Sequence, residues 1–470
     1  MHLATRPNVL FITSDQHRAD WLGCMGHPGI ATPHLDQLAR RGVVFERAMV
    51  DCPVCIPART TLLTGRQSHR YGMPSFAPRH RIQRDRTLLL GGRLRAAGYQ
   101  TEIVGKTHWH LDPTHRGGFD HVTGFDQLER ERDRRLGTGW RHGIGANEFA
   151  PMLSHLPPEL NSTHWAVDRS LEFLARRERE QPFFLWTSFF EPHPPSVVHE
   201  PYFSLYRDEP MPPPLMPDWA RDARCPWKVR SLRAGNSHDW LPPRQRERAR
   251  QVYAGMITHI DHQIGRLLGA LSSQGLLENT LIVYTSDHGE SLGDLGTYFK
   301  GTVLAASARV PLIVSLPRAL GGIVPRRSVE LVALEDWVPT FCELAGVEAP
   351  EDVDGRSLLP LLRGDGAGWR EEWHAQIDLQ HAYYVGPHKY CHFVEDGAEL
   401  VFNWRTDPRE EHDLSADRAL VGRLRERFIS HLRAEGHEHL LPDGGMRNDR
   451  RTDADIDPAN VLGWMALPRG

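Results

Sequence analysis

Short apolar runs that each end in polar residues recur along this chain, and that repeat restricts its fold more than any other feature. NVLFITSD (8–15) delivers Asp15 and Gln16 at its C-terminal end, and PFFLWTSFFEPHPP (182–195) breaks at a proline cluster. NTLIVYTSDHGE (279–290) places Asp287 and His288 just past its end, and RVPLIVSLP (309–317) adds another run. All four read as strands. Helical segments lie between them. HLDQLARRGVVF (34–45) reads as a helix stopping at Gly42 and a short strand, and TLLLGGRLRAAGYQTEIVGK (87–106) as helix, glycine stop and strand. Residues 245–275 set Val252, Met256, Ile260, Ile264, Leu267 and Leu271 on one face, the spacing of an amphipathic helix that ends at glycine. Strands alternating with helices predict an α/β fold, a large and mostly parallel sheet sandwiched by helices. Ligands bind such sheets outside the carboxyl ends of the strands, so the polar run ends are expected to share one site.

Two stretches break the rhythm. Residues 127–165 carry LERERDRR and then a Gly-rich part, and 196–245 is rich in Pro, Arg and Trp. Both read as long surface excursions that form the rim of a substrate pocket. From about 370, WHAQIDL, AYYVG, KYCHFV and ELVFNW read as short strands separated by turns, and 419–436 reads as a helix. That predicts a small antiparallel sheet with a helix across it. The expected division is a catalytic α/β domain over 1–369, this smaller unit over 370–440, and an extended tail over 441–470. The tail is expected to wrap on a neighbouring subunit, making a homo-oligomer.

Composition narrows the function by exclusion. A net charge of −4 on 470 residues offers no electrostatic basis for binding nucleic acid or an anionic membrane. No apolar stretch is long enough to span a bilayer. The VLFIT run near the start lacks the basic flank and cleavage site of a signal peptide, so a cytoplasmic enzyme is expected.

Of six cysteines only Cys52 and Cys55 stand close together, in CPVCIPARTTLLTG (52–65). A structural zinc site needs four ligands, and Cys24, Cys225, Cys342 and Cys391 supply no second pair. A redox dithiol explains none of Pro57, Arg59 or the TTLLTG that follows. The string CIPARTTLLTG (55–65) instead resembles the sulfatase signature C-x-P-[S/A]-R-x-x-L-x-x-G. NVLFITSDQ, TPHLDQLARRGVVFERA, GKTHWH, TSDHGE and DGRSLLPLL (354–362) resemble further segments of that family in the same order, over roughly residues 8–363. The resemblance implies the alkaline-phosphatase superfamily fold, in agreement with the strand–helix rhythm.

The resemblance also implies roles. Cys55 would be converted by a formylglycine-generating enzyme to an aldehyde whose hydrate is the nucleophile, and Cys52 would be core. Asp15, Gln16, Asp287 and His288, with residue 55, would hold one divalent ion, Ca2+ or Mn2+ with Mg2+ as a further alternative. Many sulfatases show Asp-Asp and Asp-Asn at these pairs, and Gln16 and His288 shift the preference toward a transition ion. Arg59, one turn along a helix starting after Pro57, would hold the diol and the anionic intermediate. Lys106 would bind a sulfate oxygen and His108 would deprotonate the second hydroxyl, both facing one side of a strand end. His110 would share that side in a structural or substrate-contacting role. His193 would contact sulfate or protonate the leaving oxygen, and Lys300 would neutralise it. The expected reaction is hydrolysis of a small-molecule or sugar sulfate ester, with attack activated by the metal and Asp287. Hydrolysis of phosphonate monoesters or phosphodiesters is the alternative, because that branch resembles sulfatases in its converted cysteine.

Overall fold

The computed structural model describes residues 6–457 except 76–84, 110–112, 140–141, 143–144, 146, 237–238, 240, 321–324 and 438–439. His110 and the tail beyond 457 lie outside the described residues. Strands β1 (Asn8–Asp15), β2 (Gly42–Phe45), β3 (Gln100–Gly105), β4 (His121–Gly124), β5 (Phe183–Pro192), β6 (Thr280–Ser286), β7 (Leu312–Ser315) and β8 (Arg326–Ser328) form the main sheet. Their order is β8-β2-β7-β6-β1-β5-β3-β4. Neighbours are parallel except around β7, which runs antiparallel to β6 and β2.

The strands are apolar at successive positions because both faces are covered. Val9, Phe11, Phe184, Trp186, Leu281 and Val283 point to one side. There they meet α2 (Cys55–Thr64), α3 (Leu90–Ala96) and α8 (Trp337–Ala345). Leu10, Ile12, Phe183, Leu185, Ile282 and Tyr284 point to the other. That side is covered by α1 (Pro33–Arg40), α4 (Phe125–Leu136), α5 (Ser162–Arg176) and α7 (Pro243–Ser273). The pleat alone sorts adjacent residues to opposite cores. On α7, Ile260, Ile264, Leu267 and Leu271 form the stripe that packs on the sheet.

The smaller unit is a four-stranded antiparallel sheet of β9 (Glu372–Ile377), β10 (Gln380–Val385), β11 (His388–Phe393) and β12 (Ala398–Asn403). Helix α9 (Arg418–Ala434) crosses one face, setting Val421, Leu424, Phe428 and Leu432 against Tyr383, Tyr390 and Val401. The opposite face, with Trp373, Tyr384, Cys391 and Phe402, packs on Cys52, Val54, Trp219 and Val229.

The two stretches read as surface excursions carry helices and buried tryptophans that anchor them to the body. LERERDRR lies within α4, which buries Leu128 and links its charges through pairs such as Arg130–Asp126 at 2.8 Å and Arg132–Glu129 at 2.6 Å. The end of the same stretch opens α5, capped by Asn161, whose side chain accepts from the Thr163 and His164 amides. In 196–245, α6 (Trp227–Asn236) and Trp219 face the small sheet. Trp219 and Trp227 are buried rather than lining a rim, and their indole N–H groups reach the Glu410 and Thr452 carbonyls at 2.8 Å. Within the expected tail, the Asp449 and Arg451 amides donate to Val394 and Glu395 of the same chain.

Candidate active site

The carboxyl ends of four adjacent strands, β6, β1, β5 and β3, converge on one place. Parallel register sets Ser14 beside Ser286 and Asp15 beside Pro192, so the residues past the strand ends meet at one level. β1 ends in Asp15 and Gln16, β6 is followed by Asp287 and His288, β5 by His193, and β3 by Lys106. β3 must stop at a glycine. Gly105 has φ +100°, and a Cβ there would fall 2.0 Å from the Ser188 carbonyl oxygen. Helix α2 enters from one face with Cys55 at its first position, where the unpaired amides of a helix N-terminus favour an anion.

Asp15, Cys55, Asp287 and His288 are fully buried or nearly so, and one donor atom from each lies within 4.8 Å of the others. Cys55 Sγ is 3.1 Å from His288 Nε2 and 3.8 Å from Asp15 Oδ1. His288 Nδ1 sits 3.0 Å from the Gly289 carbonyl. A carbonyl only accepts, so that nitrogen carries the proton and Nε2 turns a lone pair toward the carboxylates when the ring is neutral. Arg59, with no exposed surface, fans across the floor of the site. Its Nε donates to Asp287 Oδ2 at 2.7 Å, Nη1 to Ser188 Oγ at 2.8 Å and the Lys106 carbonyl at 2.9 Å, and Nη2 reaches Asp15 Oδ2 at 3.4 Å. Lys106 Nζ also grips Asp15 Oδ2.

Burial would raise the Cys55 thiol, but Lys106, Lys300 and His288 hold it well below its ordinary value, with a hydrogen bond from His108 adding to them. Burial and the Cys55 charge work against Asp15, yet Lys106, His193 and Arg59 keep it well below the usual carboxylate range. Asp287 moves the other way, pushed up by burial and by Asp15 beside it. Two carboxylates, an imidazole and an ionisable atom at position 55 converge here, with Arg59 and Lys106 behind them. Hard oxygen with imidazole nitrogen is a donor set that fits one divalent ion.

Gln16 stands beside this cluster at φ +66°, its amide N–H donating to Asp287 Oδ1 at 3.1 Å. Its side chain is held between Glu290 Oε2 and Lys300 Nζ. Lys300 Nζ is also 3.0 Å from His193 Nε2, and His193 Nδ1 donates to the Pro194 carbonyl at 2.6 Å. Burial, then Lys300, pushes the His193 imidazole down to about 4. The ten expected residues are thus neighbours. Two local expectations fail. α2 begins at Cys55 rather than after Pro57, because a proline in the first turn sacrifices only an amide that has no helical partner there. Lys106 and His108 lie beyond the end of β3, and His108 has φ +45°, so strand alternation does not place them.

Sequence reasoning also missed supporting residues. Ser188 donates to the Lys106 carbonyl at 2.6 Å, and Ser286 Oγ accepts from the His17 amide at 2.9 Å. Glu290 accepts from the Leu292 and Phe299 amides at 2.7 and 2.6 Å, which sets the turn leading to Lys300. Its only signal in the sequence is its place in TSDHGE.

A family model described as sulfatase matches residues 7–347, and one described as N-sulphoglucosamine sulphohydrolase, C-terminal, matches 293–434. The chain is 32% identical to an arylsulfatase of Clostridium perfringens over 480 residues, covering 93% of this chain and 96% of the relative. It is 32% identical over 495 residues to the multifunctional alkaline phosphatase superfamily protein PehA of Trinickia caryophylli, covering 90% and 94%. Among solved structures, the phosphonate monoester hydrolase of Agrobacterium radiobacter superposes with a TM-score of 0.76 at 26% identity, over 92% of this chain and 96% of that one. The sheet with its C-terminal companion is therefore the alkaline-phosphatase-like fold, and the chain belongs to the sulfatase family of sulfuric ester hydrolases.

Proposed function

We propose that this enzyme hydrolyses small-molecule or sugar sulfate esters through a formylglycine made from Cys55 by a formylglycine-generating enzyme. One divalent ion would be held by Asp15, Asp287, His288 and residue 55, with Gln16 alongside. The observation that carries the reading is the place of the Cys55 sulfur, at the start of α2, 3.1 Å from His288 Nε2 and within the four-donor cluster. The ion would supply Lewis acidity and lower the pKa of a hydroxyl at position 55. The imidazole favours Mn2+ over Ca2+ there. The hydrated aldehyde supplies two hydroxyls on one carbon, one to displace the alcohol from sulfur and one whose deprotonation releases sulfate by C–O cleavage.

The remaining steps belong to this chain's own side chains. Arg59 fixes Asp15 and Asp287 and faces the anion that gathers at position 55. Lys106 brings an ammonium group to an equatorial oxygen. With Nδ1–H spent on Pro194 and Nε2 accepting from Lys300, neutral His193 has no proton to give. Lys300 is then the donor to the leaving oxygen, and His193 holds it in place. His108, on the Cys55 side, takes the proton of the second hydroxyl.

The Gln16 and His288 pair, and the likeness to a phosphonate monoester hydrolase, support a second reading in which phosphonate monoesters or phosphodiesters react at the same site. Rates on nitrophenyl sulfate and nitrophenyl phenylphosphonate separate the two. Mass spectrometry of the tryptic peptide containing Cys55 tests the nucleophile. An aldehyde in place of the thiol is expected, and an unmodified thiol in active protein from the native host would rule the mechanism out.

A further inference from the structure

On the side of the small sheet away from the catalytic centre, histidines from three parts of the chain converge. His69 lies in the turn Ser68–Tyr71, just after α2. His374 is on β9, and His431 is in the last turn of α9. Glu435 caps the C-terminus of α9, and Gly436 at φ +76° turns the chain so that the His437 amide returns to the Leu432 carbonyl at 2.8 Å. That left-handed turn brings His437 back beside Glu435. One donor atom from each of His69, Glu435 and His437 lies within 4.8 Å of the others.

We propose that His69, Glu435 and His437 form a second divalent-metal site, selective for zinc or another imidazole-preferring transition ion, that ties the C-terminal unit to the catalytic domain. Two imidazoles and one carboxylate are a ligand set for such ions. A second observation points the same way. His374 is only 3% exposed, its Nε2 meets His381 Nδ1 at 3.1 Å, and its Nδ1 has no hydrogen-bond partner. Its ring stands 5.2 Å from that of His69 and 6.3 Å from that of His437, which places an unpaired buried imidazole against the cluster. His69 Nδ1 is likewise buried without a partner. A buried nitrogen left unpaired is costly, and coordination is a direct way to satisfy it.

Arg70 pairs with Glu435 and, at 3.1 Å, with Asp354, which fixes the carboxylate in place.

The test separates this site from the catalytic one. The full chain carrying Asp15→Asn and Asp287→Asn is stripped of metal and titrated with Zn2+ against a competing chelator. One tightly held equivalent is expected, and His69→Gln or His437→Gln in that background should weaken it at least about tenfold. The same count in the otherwise unmutated chain should fall from two equivalents to one with His437→Gln, while turnover of the folded enzyme is unchanged. Co2+ in place of Zn2+ should give visible absorption that His69→Gln abolishes. No bound equivalent, or an equivalent equally tight in the His69 and His437 variants, overturns the proposal, the second result marking adventitious binding by surface histidines.

Discussion

Glu290 shows where a residue-by-residue reading stops. Asp287 and His288 are legible because they end an apolar strand, and Cys55 and Arg59 because they sit in a spaced signature. Glu290 and Ser188 have no such address, since Glu290 meets Gln16, 274 positions away, and Ser188 meets Arg59, 129 away, only in the folded chain. Glu290→Gln puts an amide N–H where a carboxylate accepts, against either the Gln16 amide or the Leu292 and Phe299 amides. At least one buried donor is then left unpaired, at about 1–3 kcal/mol each. The turn to Lys300 shifts with it, so kcat should fall more than KM changes, as steady-state kinetics on a sulfate ester will show. An unchanged kcat would remove Glu290 from the positioning of Lys300. Arg59 makes the complementary point. Lysine keeps the charge but cannot reach Asp287, Ser188, Asp15 and the Lys106 carbonyl together. Arg59→Lys should therefore lower kcat by about a hundredfold, the scale of losing one oriented donor at a site of charge development. Retention of near wild-type kcat would mean that charge alone suffices.

At the scale of elements, strands buried on both faces announce themselves and helices are uneven. α7 carries its stripe openly, so only its ends move, to Pro243 and Ser273. α5 is hidden because it begins within a stretch that reads as loop, and its buried positions include Thr163 and Ser170 beside Trp165 and Phe173. α4 is masked by its charges, which pair along the exposed side while Leu128 is buried. The start of α1 cannot be read locally either. Thr32 gives no side-chain cap, and the His34 and Leu35 amides are taken by Asp261 of α7 at 3.1 and 2.7 Å. Asp261→Ala should therefore lower stability by about 1–3 kcal/mol, read from the urea midpoint at constant slope. The same carboxyl carries a pH signature. Burial pushes it up to about 7, against the two amides that pull it down. Its folded value lies above its unfolded value of 3.8, so the folded state holds the extra proton in between. Its contribution is whole below about pH 4 and declines as pH rises through about 7. Asp261→Asn should flatten the stability profile across that window, and an identical slope in the variant would place the titration elsewhere.

At the scale of the molecule, the small sheet that begins at Glu372 is legible as a change from mixed strand–helix rhythm to consecutive short strands. What the sequence does not carry is how much of the catalytic side rests on the smaller unit. The small sheet packs on Cys52 and Val54, immediately before Cys55, which gives Cys52 a core role. It also holds the segment that follows Lys300. Gln380 donates to the Gly301 carbonyl at 3.0 Å, Lys389 to the Val303 carbonyl at 2.6 Å, and Glu410 accepts from the Ala305 amide at 2.8 Å. Lys389 and Glu410 form a buried ion pair at the centre of this grip, 1% and 5% exposed. Burial works against the lysine's charge, but Glu410 overcomes it and raises the ammonium above its ordinary value. Lys389→Met leaves the carboxylate buried without its counter-ion and should cost about 3–5 kcal/mol. Lys389→Met with Glu410→Gln removes both charges and should recover to within about 1–2 kcal/mol of wild type, because a buried pair replaced as a whole is nearly neutral. The single and double variants together form a cycle whose coupling term is read from urea midpoints. Turnover should follow placement rather than stability. In the single variant kcat should drop even where circular dichroism shows the chain fully folded, since the Val303 contact next to Lys300 is lost. If the single variant is destabilised yet turns over at the wild-type rate while folded, the small sheet supports the fold and Lys300 holds its position without it.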